Sequence, residues 1–267
     1  MITQDARPDD RRLSGPRVLV TRAAGQSDEL ASALRDAGLD PVTVPAIAVE
    51  IDPSRGDLDR AAAQLHSYCW VVITSANGAR AILKAAERVL TELGAPGWAA
   101  IGPATRTVLE REGIEVQFQP GKSAGVTLAA ELPVRAGDRI LVLRGDLADR
   151  GLAETLRSRG VEVDDVIAYR TLEAPESSRP LLRRTVEDGP LDAVVFTSGS
   201  TVRGLLALGH AEGLALTTIP AVCIGPGTEQ EATRGGFHVI AVSASPSAID
   251  LAGAVAAACI RQPGETA

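Results

Sequence analysis

Six short stretches of the chain place small hydroxylated residues, glycine and proline just ahead of a helical pattern: Thr74-Ser75, Gly102 to Thr105, Ser123, Thr197 to Ser200, Gly225 to Thr228 and Ser243 to Ser247. The first N–H groups of a helix have no intrahelical partner and lie at the positive end of its dipole, so each turn is an anion site made of backbone. Small residues leave those groups within reach of a ligand. Each turn taken alone is equally an ordinary helix cap, because Ser and Thr at a helix start stabilise it. Their repetition points to a ligand that carries many carboxylates.

Other chemistries fall away on inspection. Gly121-Lys122-Ser123 looks like the end of a phosphate-binding loop, but Val116 stands where that pattern needs glycine. Gly225-Pro226-Gly227 has Gln230 where a dinucleotide fingerprint wants its third glycine. His66, His210 and His238 have no ligand spacing, and no Ser-His-Asp or Cys-His arrangement is recognisable. No metal or cofactor is expected. Cys69, Cys223 and Cys259 lie far apart and read as buried free thiols of a reducing cytoplasm. A net charge of -7 argues against nucleic acid and anionic membranes as partners. Residues 1–16 are Asp/Arg-rich without an apolar stretch and read as a disordered tail, and residues 261–267 are a second tail. No run reaches the ~18 apolar residues of a membrane span.

The elements that must position the turns repeat along the chain. Arg17 to Arg22 recurs as Arg139 to Arg144 at an offset of 122, Val71 to Ser75 recurs as Val194 to Ser198 at 123, and Ile101 to Thr105 as Ile224 to Thr228 at 123. Gly125 to Glu131 also lines up with Ala248 to Ala254 at 123. So long a period means two copies of one domain-sized plan. Each copy alternates short apolar strands with helices: strands at Arg17 to Thr21, Pro41 to Val44, Trp70 to Ile73, Ala99 to Ile101 and Val116 to Phe118, helices from Ala79 to Leu93 and from Ala124 to Leu132. That order predicts an α/β fold of parallel sheets flanked by helices, whose strand-to-helix turns gather at the carboxyl edge. By repeat alone the domain boundary falls between Leu132 and Asp138.

The ordered set Thr74-Ser75-Ala76-Asn77, Ile101-Gly102-Pro103-Ala104-Thr105, Leu143-Arg144-Gly145, Tyr169-Arg170-Thr171, Phe196-Thr197-Ser198 and Ile224-Gly225-Pro226-Gly227-Thr228 resembles the uroporphyrinogen-III synthase family, over Arg17 to Ile260. The resemblance implies two similar lobes that exchange their opening segments: residues 17–44 with 173–260, and residues 50–166. Extended connectors at 45–49 and 167–172 would join them and let them close over a large substrate, with Tyr169 at the mouth. It implies a monomeric cytoplasmic lyase of tetrapyrrole biosynthesis, needing neither metal nor cofactor. Such an enzyme closes hydroxymethylbilane with inversion of ring D, and receives it by transient contact with hydroxymethylbilane synthase.

That chemistry expels the hydroxyl of a terminal hydroxymethyl group, driven by the electron-rich pyrrole, so that a substituted carbon of ring D attacks the resulting azafulvene to form a spiro intermediate. Hydroxide leaves with difficulty and water leaves easily. A tyrosine hydroxyl, titrating near ~10, enters neutral solution as a proton donor. Tyr169, one of only two tyrosines, is therefore the candidate acid, and Thr228 is placed beside it by family likeness. By matching position, Ser75, Ala76, Thr105, Ser123, Ser198 and Gly199 offer N–H or hydroxyl groups to substrate carboxylates, and Arg22, Arg144 and Lys122 offer charge. The sequence departs from the family in Gly125-Val126 after Ser123, where a glutamate-glycine pair is common. Two other readings fit the fold: an inactive two-lobed protein that binds anionic ligands, and a flavodoxin-like nucleotide or flavin binder.

Overall fold

A computed structural model describes residues 15–51, 55–94 and 96–260. Of the tails expected at the two ends, residues 1–14 and 261–267 lie outside the described residues, as do residues 52–54 of a polar loop.

The chain opens with β1 (Arg17–Val20), α1 (Asp28–Asp36) and β2 (Asp40–Thr43). Helix α1 buries Leu30, Ala31 and Leu34 and stops at Gly38, whose φ of +79° only glycine adopts readily. Then follow β3 (Ile47–Ile51), α2 (Asp57–Ala63), β4 (Trp70–Ile73), α3 (Ala76–Val89), β5 (Gly97–Ala100), α4 (Pro103–Arg111) and α5 (Gly125–Glu131). The second copy begins with β6 (Arg139–Gly145), α6 (Gly151–Ser158) and β7 (Glu162–Glu173). It continues through α7 (Arg179–Glu187), β8 (Ala193–Phe196), α8 (Gly199–Glu212), β9 (Ala221–Cys223), α9 (Pro226–Arg234), β10 (Val239–Val242) and α10 (Ala248–Ile260).

Two five-stranded sheets result, in the orders β10-β9-β8-β1-β2 and β3-β7-β6-β4-β5. The first sheet pairs in parallel throughout, and so do β7, β6, β4 and β5 of the second. Parallel strands are covered on both faces, which is why β4 (WVVI) and β8 (AVVF) are unbroken apolar runs. Pro41 fits because β2 is an edge strand. The α/β class and the parallel sheets read from the sequence are what the structure shows.

The chain divides into two compact units, one up to Ala48 and again from Leu172, the other Val49–Thr171. In the first, Leu30 and Leu34 of α1 and Leu251 and Val255 of α10 fill one face of the sheet. Leu182, Val202, Leu205 and Ala232 from α7, α8 and α9 fill the other. In the second, α2, α3 and α4 supply Leu58, Ile82 and Leu109 to one face, while α5 and α6 supply Leu128, Leu152 and Leu156 to the opposite one. The boundary suggested by the repeat between Leu132 and Asp138 is not found, because β6 pairs with β4 with Leu141 opposite Val71.

Three local readings are corrected. Helix α3 begins at Ala76, not Ala79, because the Ser75 hydroxyl accepts the Gly78 N–H at 3.0 Å and caps the helix there. Phe118 makes one isolated bridge with Ala99 in place of a strand. Cys69 is exposed, Cys259 half-buried and Cys223 buried, all three free; burial pushes the Cys223 thiol up to about 12, with help from Glu229. Among the described residues no helix is long and apolar enough to cross a membrane.

Candidate functional site

In the unit built on residues 49–171, β4 delivers Thr74 and Ser75 to the start of α3. The Thr74 hydroxyl donates to the Leu143 carbonyl at 3.1 Å, which ties the end of β4 to β6. Ser75 has extended backbone, φ -162° and ψ 157°, as a helix cap requires. Its oxygen accepts the Gly78 N–H and its hydroxyl donates to the Tyr169 oxygen at 3.1 Å. The Tyr169 phenol, half-buried, thus keeps its own proton for a further acceptor.

The second tyrosine is differently employed. Tyr68 is buried, donates to Asp164 at 2.7 Å and lies under the Arg139 guanidinium, 4.7 Å from the ring centre. Burial and the Asp164 carboxylate push its hydroxyl upward. Tyr68 closes a structural cluster, whereas the Tyr169 hydroxyl is held by Ser75 at the start of α3.

Beside Ser75 the Gly102 turn opens α4, with Pro103 at its first position and the Thr105 and Arg106 N–H groups both turned back on the Gly102 carbonyl at 3.1 Å. Thr105 is buried. The Ser123 hydroxyl fills the space against Gly102, where a β-carbon would stand 2.7 Å from it. Lys122 is exposed.

Arg144 is 4% exposed. Its Nε and Nη2 donate to the Asp165 carboxylate at 2.7 and 3.1 Å, and Nη1 to the Gly145 carbonyl at 3.3 Å. Arg144, expected to be available to a substrate carboxylate, is found paired with Asp165, a half-buried acid of β7. Asp165 was missed from sequence, because it lies beside Asp164 in a strand that also holds Glu162, Arg170 and Glu173, and so does not stand out from its neighbours. A cavity of about 740 Å³ borders this pair and Tyr169. Arg144, Arg150, Arg157 and Arg170 on its walls are matched by Glu50, Asp57, Glu154 and Asp165, so it shows no preference for anions.

The other unit carries the equivalent turns. Ser198 caps α8 with φ -168° and ψ 162°, and its hydroxyl and that of Thr201 exchange bonds with each other's N–H at 3.3 Å in a capping box. Its oxygen also meets the Ser200 hydroxyl at 2.9 Å. Ala76 and Gly199 are the first residues of α3 and α8, where N–H groups point out of the helix. Gly225 opens α9 with Pro226 next, and the Thr228 and Glu229 N–H groups turn back on the Gly225 carbonyl at 3.1 and 3.0 Å. Thr228 is 7% exposed, and a β-carbon at Gly225 or Gly227 would meet nothing within 4 Å. Arg22, after β1, is half-buried. Ser75, Ala76, Thr105, Ser123 and Tyr169 are thus brought to one sheet edge, and Ser198, Gly199 and Thr228 to another. Among the described residues no three His, Cys, Asp or Glu side chains form a group that could hold a metal ion.

The family described as uroporphyrinogen-III synthase HemD matches residues 28–253. A porphyrin biosynthesis protein HemD of Ruminiclostridium josui is 30% identical over 248 residues, covering 89% of this chain. The chain spans 47% of that protein, about half its length. A uroporphyrinogen-III synthase of Synechococcus elongatus is 29% identical, with 82% of this chain and 86% of that one covered. Among solved structures, a mutant uroporphyrinogen III synthase of the extremely thermophilic bacterium Thermus thermophilus has the same fold, with a TM-score of 0.60 at 20% identity over 93% of this chain and 100% of that one.

Proposed function

The chain belongs to the uroporphyrinogen-III synthase family, and from that premise we propose that it is a hydro-lyase that closes hydroxymethylbilane to uroporphyrinogen III, inverting ring D and releasing water. The observation that carries the reading is the Tyr169 hydroxyl held by Ser75 at the cap of α3, with its own proton still to give. The pyrrole nitrogen lone pair expels the terminal hydroxyl while Tyr169 protonates the departing oxygen, so that the C–O bond breaks and water leaves. The substituted ring D carbon then attacks the azafulvene carbon. Fragmentation of the spiro intermediate breaks the bond from that ring D carbon to its original bridging carbon, leaving a second azafulvene that the other, free α-carbon of ring D attacks; loss of the proton from that carbon completes the inversion and balances the one that left as water.

The substrate's acetates and propionates are taken by backbone N–H and hydroxyl groups at Ser75, Ala76, Thr105, Ser123, Ser198 and Gly199, with Lys122 and Arg22 supplying charge. Thr228 is assigned to the reacting end by family likeness; in keeping with that, a β-carbon at Gly225 or Gly227 beside it would meet nothing within 4 Å, whereas Ser123 stands against Gly102. Holding ring D for the inverted closure contributes alongside proton donation. The protein is proposed to act as a cytoplasmic monomer that receives its unstable substrate by transient contact with hydroxymethylbilane synthase.

A coupled assay tests this directly. Hydroxymethylbilane is generated from porphobilinogen by its deaminase, the chain is added, and the oxidised porphyrin isomers are separated. Isomer III as the main product is the expected result; isomer I alone, the product of unassisted closure, would sink the proposal.

A further inference from the structure

Gly145, the last residue of β6, is buried, and it is not among the glycines with positive φ, so its backbone does not require glycine. What requires it is the space beside it. A β-carbon there would stand 2.7 Å from Cζ of Tyr169, 2.8 Å from its hydroxyl oxygen and 2.9 Å from Cε2. The hydroxyl end of the ring lies where any other residue would put a side chain.

Backbone irregularity brings the ring to that place. Along β6 and β7, Leu143 pairs with Val166 and Arg144 with Ile167, but Gly145 pairs with Tyr169, and Ala168 is passed over. The extra residue re-aims the strand, so that Ala168 and Tyr169 both pack on the face carrying α2 and α3, where strict alternation would have separated them. Asp146 pins the result from both sides: its N–H donates to the Tyr169 carbonyl at 3.2 Å and its carboxylate accepts the Thr171 N–H at 3.0 Å.

The chain supplies its own control. At the offset of 122 that aligns Arg22 with Arg144, the counterpart of Gly145 is Ala23, itself buried. The shared plan therefore tolerates a methyl group at this position of the other copy.

We propose that Gly145 is a positioning residue for Tyr169, leaving the space in which the phenol rests on Ser75 and presents its proton outward. The inference builds on the reading of Tyr169 as proton donor. A methyl group at 145 meets the far end of a side chain that can rotate away, so the fold adjusts easily while the hydroxyl is displaced. Small misplacements of a reacting group are costly in rate.

The expected result for Gly145→Ala is a kcat lowered about tenfold with KM within about twofold of wild type and Tm nearly unchanged. In the double variant with Tyr169→Phe the loss should equal that of Tyr169→Phe alone, since the glycine acts only through the hydroxyl. Multiplying losses, or full activity in Gly145→Ala, would overturn the proposal. Tyrosine labelled with 13C at Cζ gives a readout free of activity, because the chain has two tyrosines and Tyr169→Phe assigns them. Gly145→Ala should move the Tyr169 resonance and leave that of Tyr68 in place; an unmoved Tyr169 resonance would refute the positioning role. A moved resonance in a chain that makes only isomer I would keep the positioning role and sink the catalytic one. Should Gly145→Ala not fold, adding Tyr169→Ala should restore folding, and failure to do so would show that the ring is not the obstacle.

Discussion

Ser75 and Ser198 stand 123 residues apart in sequence, at equivalent strand ends, with nearly the same extended backbone and the same bond to the N–H three residues on. Their remaining partners differ. Ser75 holds the Tyr169 hydroxyl, whereas Ser198 meets Ser200 in the same turn. The Gly102 and Gly225 turns repeat each other in the same way, but the Ser123 hydroxyl stands against Gly102, while a β-carbon at Gly225 would meet nothing within 4 Å among the described residues. Even the ties between helices follow this rule. Asp59 of α2 is bound by Arg88 of α3, while in the other unit α7 contributes Arg179 and Arg183 and α8 contributes Glu212. The backbone of the two units is constrained by common needs of capping and parallel packing, and their chemistry differs by what single side chains place against that backbone.

The sharpest way to break this contrast is Tyr169→Phe. It should lower kcat about a hundredfold, at the low end of what a general acid contributes, with isomer III still the main product. An unchanged kcat would make the two units chemically alike. Next, Thr228→Val should lower kcat/KM about tenfold, the value of one good hydrogen bond, against about twofold for Thr105→Val behind Ser123. Equal losses would remove the distinction between the open and filled turns. Ser75→Ala and Ser198→Ala should each cost about 1 kcal/mol of stability through the lost cap. In kinetics they should part: Ser75→Ala lowers kcat about fivefold, while Ser198→Ala acts on KM.

The smallest expected effect on activity comes from Asp59→Asn. The Arg88 guanidinium holds the Asp59 carboxyl below the ordinary carboxylate range, against the opposing effect of burial. A lowered folded-state pKa contributes stability above the unfolded value of ~3.9 and loses it as the pH falls through the folded one. Asp59→Asn should therefore be less stable than wild type by about 2 kcal/mol at neutral pH, and denaturant titrations should show the gap closing on acidification below about pH 4. Activity at neutral pH should be unaffected.

Much of the scaffold was legible because its signals are local. The apolar runs that became β4, β8 and β10 stand out from their neighbours, and Gly38 and Gly160 mark the ends of α1 and α6, each with φ of +79°. The offset of 122 to 123 announced two copies before any strand was paired. The turns, too, were legible, since small residues at a strand end are needed for capping whatever the ligand.

What the sequence by itself determined is thus the α/β plan and the positions of the turns, which follow from periodicity and composition within a few tens of residues, and the duplication, which follows from matching segments 122 to 123 residues apart. Tertiary structure decided which side chains meet across that plan. Ser75 reaches Tyr169 across 94 residues, Arg144 is spent on Asp165 across 21, and one passed-over residue, Ala168, turns the tyrosine toward Gly145. None of these has a local signal, because strand order and register are set by the burial of whole sheet faces, and a shift of one residue moves a side chain to the other side.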